Sequence, residues 1–348
     1  MVRTPQMFIT GLGVHVPPTV SVESAVARGL YPAERADPEG LTGAAVAGDM
    51  PAPEMALRAA REAFDRAGTS PTDVDLLLYA TTWPHGPEGW LPPSYLQDHL
   101  VGGDVLSLEI KQGCNGMFGA LEVGASYLAA DRDRRTALLV AADNYGTPLM
   151  DRWGTGGPFI PGDAASAVVL SKDRGFAQLL SVKSISAPAV DTDLTMLGEP
   201  LFPPAITAGR EVDFTRGGAK TQGPVFQAAL VERTTNAREK LIEVVETSLS
   251  EAGISISDVS RTAVVNVDRG FIEGRGMTAL GLDIAKSTWG YGRDIGHCGA
   301  SDPLLGFRHL VSTGQLGPGD HLLMVATGPS ITASCAVIKI LDTPDETD

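Results

Sequence analysis

The chain has 348 residues, 43% hydrophobic and 20% charged, with a formal net charge of −15. That length suits two similar halves with an ordinary globular core, and the acidity without a basic cluster argues against nucleic-acid binding. No apolar run reaches the roughly 18 residues that span a membrane, no signal-peptide pattern follows Met1, and three scattered cysteines make no disulfide framework, so a reducing, cytoplasmic setting is expected.

In chain order, residues 8–14 read as a buried strand closed by Pro17-Pro18. Met55, Leu57, Ala60, Ala63 and Phe64 recur at helical spacing and predict a helix over 53–67, stopped by Gly68. The apolar run 76–80 is a strand of the kind buried on both faces. An irregular stretch, 83–93, carries two tryptophans and four prolines; such a loop either binds something or is surface. A strand over 105–110, a helix over 118–130 and strands over 137–142 and 165–170 follow. Residues 187–223, rich in Pro, Gly, Thr and Asp, read as a long connection near a substrate entrance. Strands over 322–326 and 331–340 close the chain. Alternation of strand and helix predicts an α/β layered fold.

The second half echoes the first. Ala67-Gly68-Thr69-Ser70-Pro71-Thr72-Asp73-Val74 returns as Ala252-Gly253-Ile254-Ser255-Ile256-Ser257-Asp258-Val259, and Leu138-Leu139-Val140-Ala141-Ala142 as Leu322-Leu323-Met324-Val325-Ala326. Gly113-Cys114-Asn115-Gly116 returns as Gly296-His297-Cys298-Gly299. Three echoes in one order at nearly one offset point to internal duplication. The division expected is an N-terminal half, 1–173, with the nucleophile, and a C-terminal half, 174–348, with the histidine and its acid.

This duplication would bring a thiol and an imidazole together. Cys114 falls between a strand and a helix, and a helix N-terminus favours a thiolate; a small buried residue at a tight turn is the bland alternative. His297 at the matching junction can take a proton from the thiol or from an acceptor hydroxyl. Asp302, five residues on, either fixes the histidine tautomer or only meets the dipole of the helix it begins, with Pro303 beside it. Gly328-Pro329-Ser330 forms a turn that would aim an N–H near Ser330 at the same centre, making an oxyanion hole with the N–H of Cys114. Arg152 and Trp153, in a glycine-rich loop, suit the nucleotide or pantetheine end of a donor. Gly162-Asp163-Ala164-Ala165 reads as packing and turn. His15, His85, His99, His309 and His321 read as ordinary. No Cys or His spacing supports a metal site.

Together, Gly113-Cys114-Asn115-Gly116, Asp151-Arg152-Trp153-Gly154 with Gly162-Asp163-Ala164-Ala165, and the closing segment 328–336 resemble the thiolase superfamily and, within it, ketoacyl-ACP synthase III. The resemblance implies a five-layer αβαβα fold of two pseudo-two-fold-related halves, usually a homodimer. It also implies that Cys114 accepts an acyl group from acyl-CoA or acyl carrier protein, with no tightly bound cofactor and with Arg152 helping to hold the donor. The chain departs from that pattern where the synthases carry Pro-His-Gln-Ala-Asn. Here stands Asn266-Val267-Asp268-Arg269-Gly270, so Val267 takes the histidine position and His297 takes the place of the usual asparagine. A Cys114–His297–Asp302 set resembles instead the CerJ-type acyltransferases of natural-product assembly. One histidine backed by a carboxylate suits deprotonation of a small hydroxylated acceptor. Two rival readings stay open: a starter-unit condensing enzyme, and a non-catalytic scaffold subunit that kept the fold.

Overall fold

A computed structural model describes residues 6–37, 39–154, 157–187, 209, 211, 224–328 and 331–343, and of 224–233 and 275 the backbone alone. Nine strands form one hydrogen-bonded sheet: β1 (Met7–His15), β2 (Leu76–Ala80), β3 (Leu106–Ile110), β4 (Thr136–Asp143), β5 (Ala164–Ser171), β6 (Ala177–Ser186), β7 (Val259–Ala263), β8 (His321–Gly328) and β9 (Thr332–Ile340). Four main helices accompany them: α1 (Ala52–Ala67), α2 (Gly116–Ala129), α3 (Pro224–Ala252) and α4 (Asp302–Ser312).

The strand order β3-β2-β4-β5-β1-β6-β9-β8-β7 is a mirror about the antiparallel pair β1–β6. Outward from that pair each half runs through antiparallel neighbours, β5 and β4 on one side and β9 and β8 on the other, and then a parallel one, β2 or β7. The first half adds β3 in parallel; the second has a single parallel bridge from Thr262 to Ser287 at the equivalent place. The sequence echoes map onto this symmetry. Gly68 and Gly253 both take positive φ after α1 and α3, where a left-handed residue ends a helix and glycine is favoured. Each is followed by one 3₁₀ turn, Pro71–Asp73 and Ile256–Asp258. The 173/174 division falls between β5 and β6.

Layering follows from which faces are apolar. Along β2 and β4, Leu77, Tyr79, Leu138 and Val140 face α1, while Leu76, Leu78, Leu139 and Ala141 face α2, the alternation a strand covered on both sides must show. Helix α2 is apolar nearly all round, the mark of a buried helix, and it packs on β2 and β4 of one half and on β6 of the other. Helix α4 likewise touches β1 and β5 and also β7 and β8. Helix α1 covers the first half from outside, and α3 covers β9 and β6. The result is αβαβα. Helix α1 sits close on β1 because a Cβ at Gly11 would stand 1.9 Å from the Ala63 carbonyl oxygen and one at Gly13 2.1 Å from that of Ala59.

The predicted helix over 118–130 begins two residues earlier, at Gly116. Residues 83–93 hold no regular structure until a short helix, Pro92–Leu96. Of 187–223, all but 187, 209 and 211 lie outside the described residues. Among the described residues no helix is long and apolar enough to cross a membrane.

Candidate active site

The two echoing segments meet between the half-sheets. Gly113, with φ +55, lets the chain turn sharply out of β3, and Cys114 follows in a single 3₁₀ turn, Gly113–Asn115, directly before α2. The chain reaches His297 through Gly296, whose φ of +73 again requires glycine. The His297 backbone is pinned on both sides: its N–H donates to the Ile160 carbonyl (2.8 Å) and its carbonyl accepts from Gly162 N–H (2.9 Å). Its imidazole is 5% exposed, whereas Cys114 is partly open.

Cys114 Sγ lies 2.9 Å from His297 Nε2. On the far side of the ring Nδ1 bonds to Asp302 Oδ2. A carboxylate only accepts, so Nδ1 carries the proton and Nε2 is left to exchange one with the thiol. Asp302 is fully buried, and its charge is balanced by hydrogen bonds. Oδ2 also accepts from Asn266 N–H (2.7 Å), while Oδ1 accepts from Cys298 N–H (2.7 Å) and Asn266 Nδ2 (3.0 Å). Burial alone would lower the His297 pKa, but the neighbouring Cys114 and Asp302 charges and their hydrogen bonds outweigh it, and the net direction is well up. The contact places the thiol for proton exchange with the ring, which a cysteine nucleophile requires. The Phe159 ring stands edge-on to the imidazole, centroids 5.0 Å apart.

The 3-oxoacyl-[acyl-carrier-protein (ACP)] synthase III family model matches residues 108–188, and the model of that family's C-terminal part matches 249–340. The β-ketoacyl-[acyl-carrier-protein] synthase III of Caulobacter vibrioides is 25% identical over 339 residues, 95% of this chain and 99% of its own. Among solved structures, the acyltransferase ChlB3 is 50% identical, covers 98% of this chain and 99% of its own, and superposes with a TM-score of 0.90. The chain belongs to the thiolase superfamily. It is a ketoacyl synthase III-like acyltransferase. The 3-oxoacyl-[acyl-carrier-protein] synthase III of Aquifex aeolicus VF5, at 20% identity with 96% and 99% coverage and a TM-score of 0.73, shares the fold.

In this acyltransferase Val267 is 6% exposed within the core, and its carbonyl accepts from Trp289 Nε1 (3.0 Å). The other two thiols face away from the chemistry. Cys298 is fully buried with its Sγ toward the Ile295 and Gly296 carbonyls. Burial, followed by the charges of Asp302 and Asp163, pushes its pKa well up. Burial pushes the Cys335 thiol up to about 12.

Arg152, expected to help hold the donor, is tied to neighbouring groups of the protein. It is 8% exposed, its Nη2 donates to both Asp163 oxygens (2.8 Å each), and its Nη1 donates to the Pro161 carbonyl. Asp163 in turn receives the N–H groups of Ala47 and Tyr145 (2.8 Å each). Trp153 packs with Val22, Ala44 and Ile160. Its indole meets Tyr31 edge-on at 6.2 Å, and Arg35 lies 5.2 Å over the Tyr31 ring. Ser330 lies outside the described residues.

Sequence reasoning passed over Asn266, Phe159, Tyr31 and Arg35. For Asn266 a signal existed: an amide directly after the apolar run Val264-Val265, where a buried polar group needs partners. His85, read as ordinary, contacts buried Asp143 at 3.2 Å, and the same Asp143 oxygen accepts from Thr82 and Trp83 N–H (2.9 Å each). That carboxylate pins the start of the 83–93 loop.

Proposed function

We propose that the enzyme moves an acyl group from a CoA or carrier-protein thioester through Cys114 to a hydroxyl acceptor. The observation that carries this reading is the continuous Cys114–His297–Asp302 array, with Val267 at the position where the synthase motif places its histidine. The Cys114 thiolate attacks the donor carbonyl. The carbonyl π-bond electrons move to oxygen, and collapse of the oxyanion expels the donor thiolate, which takes the proton from His297 Nε2. The acceptor hydroxyl then gives its proton to Nε2 as its oxygen attacks the Cys114 thioester. An ester leaves and the Cys114 thiolate returns. Acylation removes the thiolate charge that helps hold the imidazolium, so His297 becomes a better base for the second step. The Cys114 N–H and an N–H near Ser330 would form the oxyanion hole. Trp153, with Tyr31 and Arg35 at its edge, would contact the donor. No bound cofactor is needed for these steps.

Carbon–carbon condensation needs donors around the carbonyl of a decarboxylating malonyl thioester, and a buried valine side chain offers none. With an acyl thioester and a panel of small alcohols, including glycosides and other natural-product cores, ester is expected without release of carbon dioxide. Carbon dioxide and a β-ketoacyl product from a malonyl thioester, with no ester, would select condensation; turnover with thiol acceptors alone would overturn the hydroxyl assignment.

The partner surface in this reading is a second copy. Strand β3 lies at the sheet edge, with Leu106 46% and Leu108 43% exposed. An open apolar edge favours pairing with another chain. Sedimentation should give a dimer, and Leu106→Lys with Leu108→Lys a monomer. A monomeric parent at micromolar concentration would remove this proposal.

A further inference from the structure

Asn266 is 2% exposed and buckles three segments together. Its Nδ2 donates to the Gly296 carbonyl (2.9 Å) and to Asp302 Oδ1 (3.0 Å), and its own N–H donates to Asp302 Oδ2 (2.7 Å). Its Oδ1 lies so close to Gly292 that a Cβ there would stand 2.0 Å away, so the amide is held on that side as well. A carboxylate in a dry interior stays charged only when its lone pairs are met. Of the four donors on Asp302, two come from Asn266, one on each oxygen; the third is Cys298 N–H and the fourth is His297 Nδ1.

The geometry assigns Asn266 as a positioning residue: by gripping both Asp302 oxygens it turns the carboxylate toward His297 and so sets the strength of the Cys114–His297 pair. This rests on reading those two side chains as nucleophile and base. It also accounts for a polar residue where the synthase motif places proline. Proline has no N–H and no amide, so neither Asn266 bond to Asp302 could form with it.

Facing His297 are Cys114 from the 3₁₀ turn before α2 and Asp302 from the start of α4. Around that centre stand Asp143 and Tyr145 at the end of β4 and after it, Cys298 beside the histidine, Tyr291 before it, and the Arg152–Asp163 pair. Only Asp302 is gripped by Asn266.

The test is the rate at which iodoacetamide alkylates Cys114 from pH 5.5 to pH 9.5, with the modified residue identified by mass. Cys298 and Cys335 are fully buried and should stay unmodified. A hydrogen bond to a charged group is worth about 10-fold to 100-fold in an equilibrium. At pH 6 the Asn266→Ala protein, which keeps the backbone donor, should react about 10-fold more slowly than the parent. Asn266→Pro, which loses both, should react about 100-fold more slowly. Both should approach the parent rate at pH 9.5, which lies above the ordinary value of about 8.5 for a free cysteine. Parent-like profiles, or a fall by one factor at every pH, would overturn the assignment, the second because it marks general damage. Should Asn266→Pro not fold, the alanine variant decides alone. Alkylation needs no acyl donor or acceptor, so this result stands or falls separately from the transfer reaction.

Discussion

Replacing Cys114 by alanine is expected to reduce acyl transfer to background, a loss on the order of 10⁵-fold to 10⁶-fold in kcat of the kind seen when a nucleophile is removed. Neither of the other two thiols can take its place. Cys298 is the nearest candidate in sequence, but its sulfur is buried against the Ile295 and Gly296 carbonyls, and burial with the Asp302 and Asp163 charges keeps it protonated. Cys335 is sealed within β9. Direct attack by the acceptor would need a preformed ternary site, and the open position beside His297 Nε2 is the one Cys114 occupies. The measurement is initial-rate formation of acyl product. Retention of a tenth of the parent rate would mean that the acyl group does not pass through Cys114.

Asp302→Asn is expected to cost about 10³-fold to 10⁴-fold in kcat, the scale for a triad acid turned into its amide. Asp302 meets four donors, two on each oxygen. An asparagine has one acceptor oxygen, so its NH₂ must face two of them whichever way it turns. Facing Asn266 N–H and His297 Nδ1, it forces the imidazole proton to Nε2, and the base can no longer accept from the thiol. Facing Cys298 N–H and Asn266 Nδ2, it leaves donors unmet in the core and strains the His297–Cys298 turn. The variant also loses a charge that raises the His297 pKa. A histidine raised in the folded state adds stability that is fully present below its unfolded value, near 6.5, and is lost as pH rises through the folded value. The stability gap between parent and variant should therefore be widest below about pH 6.5 and shrink toward alkaline pH, as denaturant unfolding across pH would show. A variant within 10-fold of parent activity would leave Asp302 only its role at the start of α4.

The thiol–imidazole pair was legible because duplication is a local pattern repeated. Once Gly113-Cys114 and Gly296-His297 are recognised as equivalents, symmetry brings them together, and Asp302 follows from its five-residue spacing. The α/β class was readable from strand and helix alternation, whereas the five layers came from family resemblance. What escaped reading depends on contacts between distant segments. Arg152 looks free in a glycine-rich loop, yet Asp163 waits at the start of β5 to neutralise it. Asn266 shows no role in the sequence, because its two bonds to Asp302 span 36 residues. The exposure of Leu106 and Leu108 could not be read from a strand-like pattern, since it follows from β3 being at the edge. Helix α3, 29 residues long, went unread because its apolar positions are diluted by polar ones.

The most direct measurement is intact mass of the enzyme after brief exposure to an acyl thioester, followed by addition of a hydroxyl acceptor. One acyl group is predicted on Cys114 of the parent and none on Cys114→Ala, and the acceptor should discharge it as an ester. No adduct on the parent with any acyl-CoA or acyl carrier protein, an adduct that survives in Cys114→Ala, or one that leaves only with a malonyl donor and carbon dioxide would contradict the account.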